Sequence, residues 1–373
     1  MSVSIITDEL ASSIPKPNAR TSAVVQTAAA AAAKVSIAVN ARFMTQRITG
    51  VQRYAIEVLK RLPELEPITP SERWRGPRGH LWEQAVLPGK VGDRLLWSPC
   101  NVGPWSVKRQ VVTIHDCAFH DMPHAVSRGF RLWYSWLLRR LAPRVRRILT
   151  VSEFSRQRLI DFLQVDPSKV VAIPNGVDER FNPGAAEAVP GMRSRLGLPE
   201  RYILFVGSLD PRKNLLGLLK AWDQISARLV CPLVICGASS HVFRNAGIDR
   251  LPQRVVLSGY VADADLPALY AGASLFVYPS LYEGFGLPVI EAMACGTPVV
   301  CSSTTSLGEV AGDAACLVDP ADRESIADGI LRVAKDETLR QDLRGRGLQR
   351  AAEFSWDRTA RGTWNELQTA AAT

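Results

Sequence analysis

The stretch Ser280-Leu-Tyr-Glu-Gly-Phe-Gly-Leu-Pro-Val-Ile-Glu-Ala-Met-Ala-Cys-Gly-Thr-Pro298 decides how the rest of the chain is read. The apolar run Leu275-Phe-Val-Tyr278 precedes it and Pro298-Val-Val-Cys301 ends it. The pattern predicts strand, glycine loop, helix from about Pro288 to Ala294, then strand. Gly284 and Gly286 let backbone amides approach a ligand closely. Pro288 suits the start of a helix, where its missing N–H is not needed. A glycine lead-in to a helix N-terminus is a ready anion site. Glu283 falls in the loop and Glu291 in the first helical turn, eight residues on, so both can face one ligand. Two carboxylates beside an anion site suit a ligand with a phosphate and several hydroxyls. A plain glycine turn, with a Glu balancing the helix dipole, fits the same residues.

The alternation extends outward from this stretch. Tyr202-Ile-Leu-Phe-Val206, Leu233-Val-Ile-Cys236 and Val255-Val-Leu257 read as strands, with helices near 215–222 and 263–271 and a largely helical 322–353. Upstream, Val35–Asn40, Leu95–Trp97, Val111–Ile114, Arg147–Val151 and Val170–Ile173 are strand candidates. Val51, Tyr54, Ala55, Val58, Leu59 and Leu62 recur at helical spacing behind a Thr49/Gln52 capping box. Residues 63–94 give no clear assignment, and the Pro- and Gly-rich 182–199 reads as a linker. Short apolar strands alternating with helices imply parallel sheets covered on both faces. The expectation is an α/β chain of two doubly wound, Rossmann-like domains with a ligand cleft between them. The expected division is a disordered extension over 1–33, domains over 34–190 and 191–355, and a C-terminal helix over 356–373 that packs back on the first domain.

Composition narrows the partners. The 373 residues carry a net charge of +9, but residues 1–197 hold +12 and residues 198–373 hold −3. The basic half suits phosphorylated, lipid or nucleic-acid partners. No stretch of uncharged apolar residues is long enough to span a bilayer. The seven Cys are scattered with no C-x-x-C pair, which fits a reducing compartment and gives no zinc framework. His115, His120 and His124 lie close in sequence, yet Pro123 breaks the regular helix that would align the last two. No metal is expected.

Glu283-x7-Glu291 within Glu-Gly-Phe-Gly-Leu-Pro-Val-Ile-Glu-Ala-Met-Ala-Cys-Gly-Thr-Pro-Val-Val resembles the signature of glycosyltransferase family 4. Similar likeness is carried by Val206-Gly-Ser-Leu-Asp-Pro-Arg-Lys-Asn-Leu215, by Ile173-Pro-Asn-Gly-Val-Asp178 with Phe181, and by Leu149-Thr-Val-Ser-Glu-Phe-Ser155. Thr49-Gly-Val-Gln-Arg-Tyr54 and Ile114-His-Asp116 add to it. The resemblance implies the GT-B fold and a retaining, metal-independent enzyme that uses a nucleotide sugar as co-substrate and no further cofactor. It implies that Glu291 holds the donor ribose, that Glu283 contacts the transferred sugar, and that His115 lies near the reacting centre. Amides around Gly284, Phe285, Gly286 and Leu287 would bind sugar or diphosphate, with Arg212 and Lys213 as cations and Gly50 approaching the phosphate across the cleft. Preorganised cations and amides there would stabilise the departing diphosphate. One departure is Ser208, where many relatives carry Arg; either a cation is missing or Arg212 replaces it. Read alone, the Pro-Arg-Lys-Asn turn is a solvated basic turn, Gly50 a turn glycine and His115 a core histidine.

Residues 128–147 hold seven Arg and no acid. Phe130, Trp133, Tyr134, Leu137 and Leu141 form one stripe at helical spacing, with Trp136, Arg139 and Arg140 off it. Arg131, Trp133, Trp136, Arg139 and Arg140 are candidates for an anionic membrane surface or the acceptor. A core helix with a solvated arginine face is the other reading. The combined expectation is a transferase moving a hexose, mannose from GDP-mannose by loose resemblance, to a hydroxyl of a lipid-linked saccharide in bacterial surface polysaccharide synthesis. It would act in the cytoplasm at the inner face of the plasma membrane, with no nucleic-acid partner. The rivals are a sugar-nucleotide hydrolase or epimerase of the same fold, and a non-catalytic basic binding protein.

Overall fold

The computed structural model describes residues 36–46, 48–208, 210–237 and 250–373. The extension expected over 1–33 lies outside them. Two six-stranded sheets organise the chain. The first comprises β1 (Ile37–Asn40), β2 (Leu65–Ile68), β3 (Leu95–Ser98), β4 (Gln110–Thr113), β5 (Arg147–Thr150) and β6 (Val170–Ala172), in the order β2-β1-β3-β4-β5-β6. The second comprises β7 (Ile203–Val206), β8 (Leu233–Cys236), β9 (Val255–Gly259), β10 (Leu275–Tyr278), β11 (Val299–Ser302) and β12 (Cys316–Val318), in the order β12-β11-β10-β7-β8-β9. Every pairing within the two sheets is parallel. Strands β1, β3, β4, β8, β10 and β11 are buried along their whole length. That burial is why they read as unbroken apolar runs, with helices covering both faces.

Strand order reverses between β1 and β3 in the first sheet and between β7 and β10 in the second. Ligands of open parallel sheets bind beyond the carboxyl ends at such points. The helices that matter most there are α1 (Gly50–Arg61), α2 (Arg128–Leu141), α3 (Glu153–Leu163), α4 (Val189–Leu196), α5 (Leu287–Ala294) and α6 (Trp356–Ala372). The capping box opens α1, with the Thr49 amide donating to Gln52 Oε1 at 3.1 Å.

Two segments differ from their sequence reading. Residues 63–94 contain β2 and an almost continuous helical stretch over 78–91, with a π-helical turn at Trp82–Val86. Strand β2 is an edge strand, where Glu66 and Pro67 are tolerated because one side of the ladder is unpaired. Residues 182–199 are helical too. Pro183 and Pro190 sit in the first turns of a 3-10 helix and of α4, where proline starts a helix instead of breaking it. Met192 of α4 and Phe181 are buried in the core of the second sheet, so this segment packs with that domain.

The chain returns at its end. Helix α6 buries Trp356, Ala360, Leu367 and Ala370 in the core of the first sheet, with Tyr54 and Val58 of α1. It gets there by crossing the outgoing strand, where Val177 bridges Ser355. The crossing leaves no room at Gly176, because a Cβ there would lie 2.1 Å from the Trp356 amide nitrogen. Gly176→Ala should therefore force the two crossing strands apart. Overpacking of this kind costs about 1–3 kcal/mol, and a lowered midpoint in denaturant unfolding is the expected result.

Candidate active site

The loops after β7 and β10 build the wall of the second domain. Asp210 accepts the Arg212 amide at 3.0 Å and opens the tight turn Pro211–Lys213. That turn places Lys213 under the β10 terminus, where its Nζ donates to Glu283 Oε1 at 2.6 Å and Tyr278 Oη at 2.8 Å. Burial pulls the Lys213 pKa down, but its contacts with the Tyr278 hydroxyl and the Glu283 carboxylate outweigh it and the net direction is upward, so the lysine is cationic. Arg212 is turned differently. Its guanidinium folds back on Asp210 at 2.6 Å, with Asp116 of the first domain 3.9 Å away. Ser208 is exposed at the end of β7.

Glu291 lies in the second turn of α5, one turn later than its spacing suggested, because the helix begins at Leu287. It is 7% exposed, accepts the Tyr270 hydroxyl at 3.2 Å and meets Arg53 Nη1 at 3.3 Å. Burial raises its pKa, and Arg53 opposes that shift. Arg53 also pairs with Asp263, which binds Arg180 at 2.6 Å. A side chain of α1 thus spans the cleft to the second domain.

Between these groups runs the glycine loop. The Gly284 carbonyl accepts Ser152 Oγ at 2.7 Å and Ser155 Oγ at 3.2 Å. A Cβ on Gly284 would lie 2.6 Å from the His115 carbonyl oxygen and 2.9 Å from Asp116 Cβ. Gly286 has φ +98°, and a Cβ there would strike Leu307 at 2.3 Å. Gly284 requires glycine for space, because backbone stands in the way, and Gly286 for its backbone conformation. Phe285 turns its ring away into a cluster with Val151, Ile290, Val310 and Phe354. Leu287 faces Gly50, whose added Cβ would meet it at 3.6 Å, an ordinary contact. Any need for glycine at position 50 therefore comes from a ligand and not from the protein.

His115 stands at the end of β4, its ring edge-on to Tyr54 at a centroid distance of 4.8 Å. Nε2 lies 2.9 Å from the Pro99 carbonyl and the backbone amide donates to Asn101 Oδ1 at 2.7 Å. A carbonyl can only accept, so Nε2 carries the proton and Nδ1 is left as an acceptor. Burial lowers the His115 pKa to about 4. The imidazole is neutral at neutral pH.

The structure brings together His115, Glu283, Glu291, Lys213, Gly284–Leu287 and Gly50 around one cleft. Arg53, Asp116, Tyr270, Tyr278 and Asp263 belong to the same constellation and were not singled out from sequence. Arg53 was visible only as part of a helix-start segment, and nothing local says that it reaches a glutamate 238 positions away. Helix α2 departs from its expected stripe. Tyr134, Leu137, Leu138 and Leu141 are buried, whereas Phe130 and Trp133 are exposed along with Trp136. Only its C-terminal half packs on the sheet, so the first turn and a half stands clear. Arg139 and Arg140 are exposed, over the rings of Phe162 and Trp136 respectively.

The neutral His115 links folding to pH. The unfolded chain takes up its proton near the ordinary value of about 6.5, the folded one only near 4. Unfolding is therefore favoured as pH falls through that window, and the stability held by the neutral ring is complete above it. His115→Gln should remove this component. Between pH 7 and pH 5, wild type should lose about 2 kcal/mol more than the variant in denaturant titrations.

Comparison with known proteins bears on the fold and the family. The family model described as Glycosyl transferases group 1 matches residues 193–350, and that described as Glycosyltransferase Family 4 matches residues 94–181. The chain is 36% identical over 298 residues to the O-antigen chain mannosyltransferase B of Escherichia coli, covering 77% of each chain. It is 31% identical over 265 residues to the serotype-specific mannosyltransferase WbdA of the same species, matching 65% of this chain but 32% of that longer protein. The sucrose-phosphate synthase of Thermosynechococcus elongatus superimposes with a TM-score of 0.71 at 20% identity, over 90% of this chain and 99% of that one. The two sheets are those of the GT-B fold, and the chain belongs to the family 4 glycosyltransferases.

Proposed function

We propose that this glycosyltransferase moves mannose from GDP-mannose, with retention at the anomeric carbon, to a hydroxyl of a lipid-linked saccharide. The observation that carries the reading is the pairing of Lys213 with Glu283 beside the Gly284–Leu287 amides, at the switch point of the second sheet. The E. coli relatives are mannosyltransferases, one named for the O-antigen chain, which supports the sugar and the kind of acceptor. Residues 191–355 would bind the donor and residues 34–190, with α6, the acceptor.

In this reading Glu291 holds the ribose hydroxyls, exchanging its contact with Arg53 for them. Lys213 turns to the diphosphate and neutralises the charge that builds as the bond to the sugar breaks. Arg212 assists after release from Asp210 and takes the place of the cation absent at Ser208. The amides at the start of α5 add to the same field. These groups supply what a metal would, so the reaction proceeds without one. The acceptor hydroxyl attacks the face that the diphosphate leaves, and a phosphate oxygen takes its proton. Glu283 and the Nδ1 of His115 hold sugar hydroxyls at the reacting centre. Gly50 admits the phosphate across the cleft. Closure between domains excludes water and limits hydrolysis of the donor.

Two measurements test this. GDP-mannose should raise the unfolding temperature more than UDP-, dTDP- or ADP-sugars, since a ligand at a hundred times its Kd stabilises by about 2.7 kcal/mol. Glu291→Ala should abolish most of that shift, and an unchanged shift would sink the donor-site assignment.

No helix among the described residues is long and apolar enough to cross a membrane. Helix α2 instead presents Trp136 with Arg139 and Arg140 to an anionic surface at the inner face of the plasma membrane. Cosedimentation with anionic vesicles should exceed that with neutral ones, and should fall with salt and in Arg139→Ala/Arg140→Ala. Equal pelleting with both vesicle types would refute the contact.

A further inference from the structure

The switch point of the first sheet, between β1 and β3, holds a cluster that donor chemistry does not use. Asn40 ends β1, and its Nδ2 donates to Glu83 Oε1 at 2.6 Å. Arg42 follows, with Nε 3.5 Å from the same oxygen. Glu83 is 1% exposed, and its other oxygen, Oε2, has no hydrogen-bond partner. The nearest group to Oε2 is His80 Nδ1 at 3.7 Å, itself without a partner, on a side chain 37% exposed. The ring of His80 stands edge-on to Trp133 at 5.0 Å. Glu83 sits in the π-helical turn Trp82–Val86, a local irregularity of the kind that re-aims side chains at functional sites.

A buried carboxylate held only for structure would have both oxygens satisfied, because an unmet buried acceptor is costly. Here one oxygen is fixed by an amide and a guanidinium, and the other is left over. Together they offer an acceptor, cationic donors and an imidazole within one small volume. Trp133, exposed on the unpacked end of α2, supplies an aromatic face on the far side of His80. A carboxylate beside an arginine, with an aromatic wall, is chemistry for a sugar ring, whose hydroxyls donate to the one and accept from the other while its C–H face covers the third. Position agrees, because the cluster lies beyond the carboxyl end of β1, from which α1 and Gly50 also enter the cleft.

We propose that Glu83, Arg42 and His80, with Trp133 as wall, form the subsite for the terminal sugar of the acceptor. The inference rests on the transferase reading above and gives its acceptor side a location. Glu83 Oε2 accepts a hydroxyl of that sugar once the His80 ring rotates aside, and Arg42 donates to a neighbouring oxygen.

The test uses the full chain, GDP-mannose as donor and octyl α-mannoside as acceptor probe. Glu83→Gln removes the charge at constant shape and should raise the acceptor KM about tenfold, the loss expected for one charge-assisted hydrogen bond. The KM for GDP-mannose should stay within about twofold, because none of these residues touches the donor wall. Trp133→Ala, at an exposed position, should raise the acceptor KM in the same direction and keeps the test valid should the buried Glu83 substitution impair folding. An unchanged acceptor KM in both variants, with wild type active, would overturn the subsite alone. No mannosyl transfer by wild type would overturn the mannosyltransferase reading and the subsite with it.

Discussion

The close approach of Gly284 to the first domain is the constraint on which the rest of the site depends. Its carbonyl accepts two serine hydroxyls from the start of α3, and its Cα lies where a methyl group would collide with the backbone at His115. The loop that carries Glu283 is therefore located by the opposite domain as well as by its own strand. A second tie reinforces it. Glu309 accepts the Glu153 and Phe154 amides at 2.9 and 3.0 Å, so a carboxylate of one domain caps a helix of the other. Both ties act on α3, and both are polar contacts that water can replace. Hydrogen bonds exchanged with water contribute about 1 kcal/mol each, which suits surfaces that must part to admit substrates.

The parallel sheets were readable because their strands are buried on both faces, so the apolar runs stand out without any alternation to interpret. The misreadings share a different cause. Pro183, Pro190 and Pro67 have opposite meanings in a helix interior, a helix first turn and an edge strand, and local sequence does not say which applies. Trp133 and Phe130 obey helical spacing, yet α2 overhangs the sheet that would have covered them. Periodicity reports which residues share a face, not whether anything lies against that face. The motif residues Glu283, Glu291, Lys213 and Gly284 were legible because their chemistry is compressed into short segments. Arg53, Asp263 and Tyr270 were not, since their meaning lies in pairs joined across about two hundred positions of chain or at a helix neighbour.

Both carboxylates of the glycine-loop motif are paired with cations in the structure, Glu283 with Lys213 and Glu291 with Arg53. These pairs have a physical purpose before any ligand arrives. A buried carboxylate left alone would take up a proton, and a buried lysine would lose one. Pairing holds the carboxylates in place and keeps Lys213 cationic. A nucleotide sugar brings two phosphates and several hydroxyls, which can replace these partners group for group. In the proposed reading, Lys213 exchanges a carboxylate for a phosphate, and the carboxylates exchange cations for hydroxyls. In that exchange Lys213 keeps an anionic partner and each carboxylate keeps hydrogen-bond donors, so no buried group is left without a polar partner.

The uneven charge of the chain fits this economy. The second half of the chain is slightly acidic at −3, and in the proposed reading it meets its anionic donor with a few placed cations that are already held. The excess of +12 lies in residues 1–197, where Arg128, Arg139, Arg140 and Arg144 of the basic stretch 128–147 are exposed. Exposed arginines beside exposed tryptophans do little for folding, since surface charges contribute well under 1 kcal/mol each. The exposed pair Arg139 and Arg140, beside Trp136 on α2, suits the anionic surface proposed above.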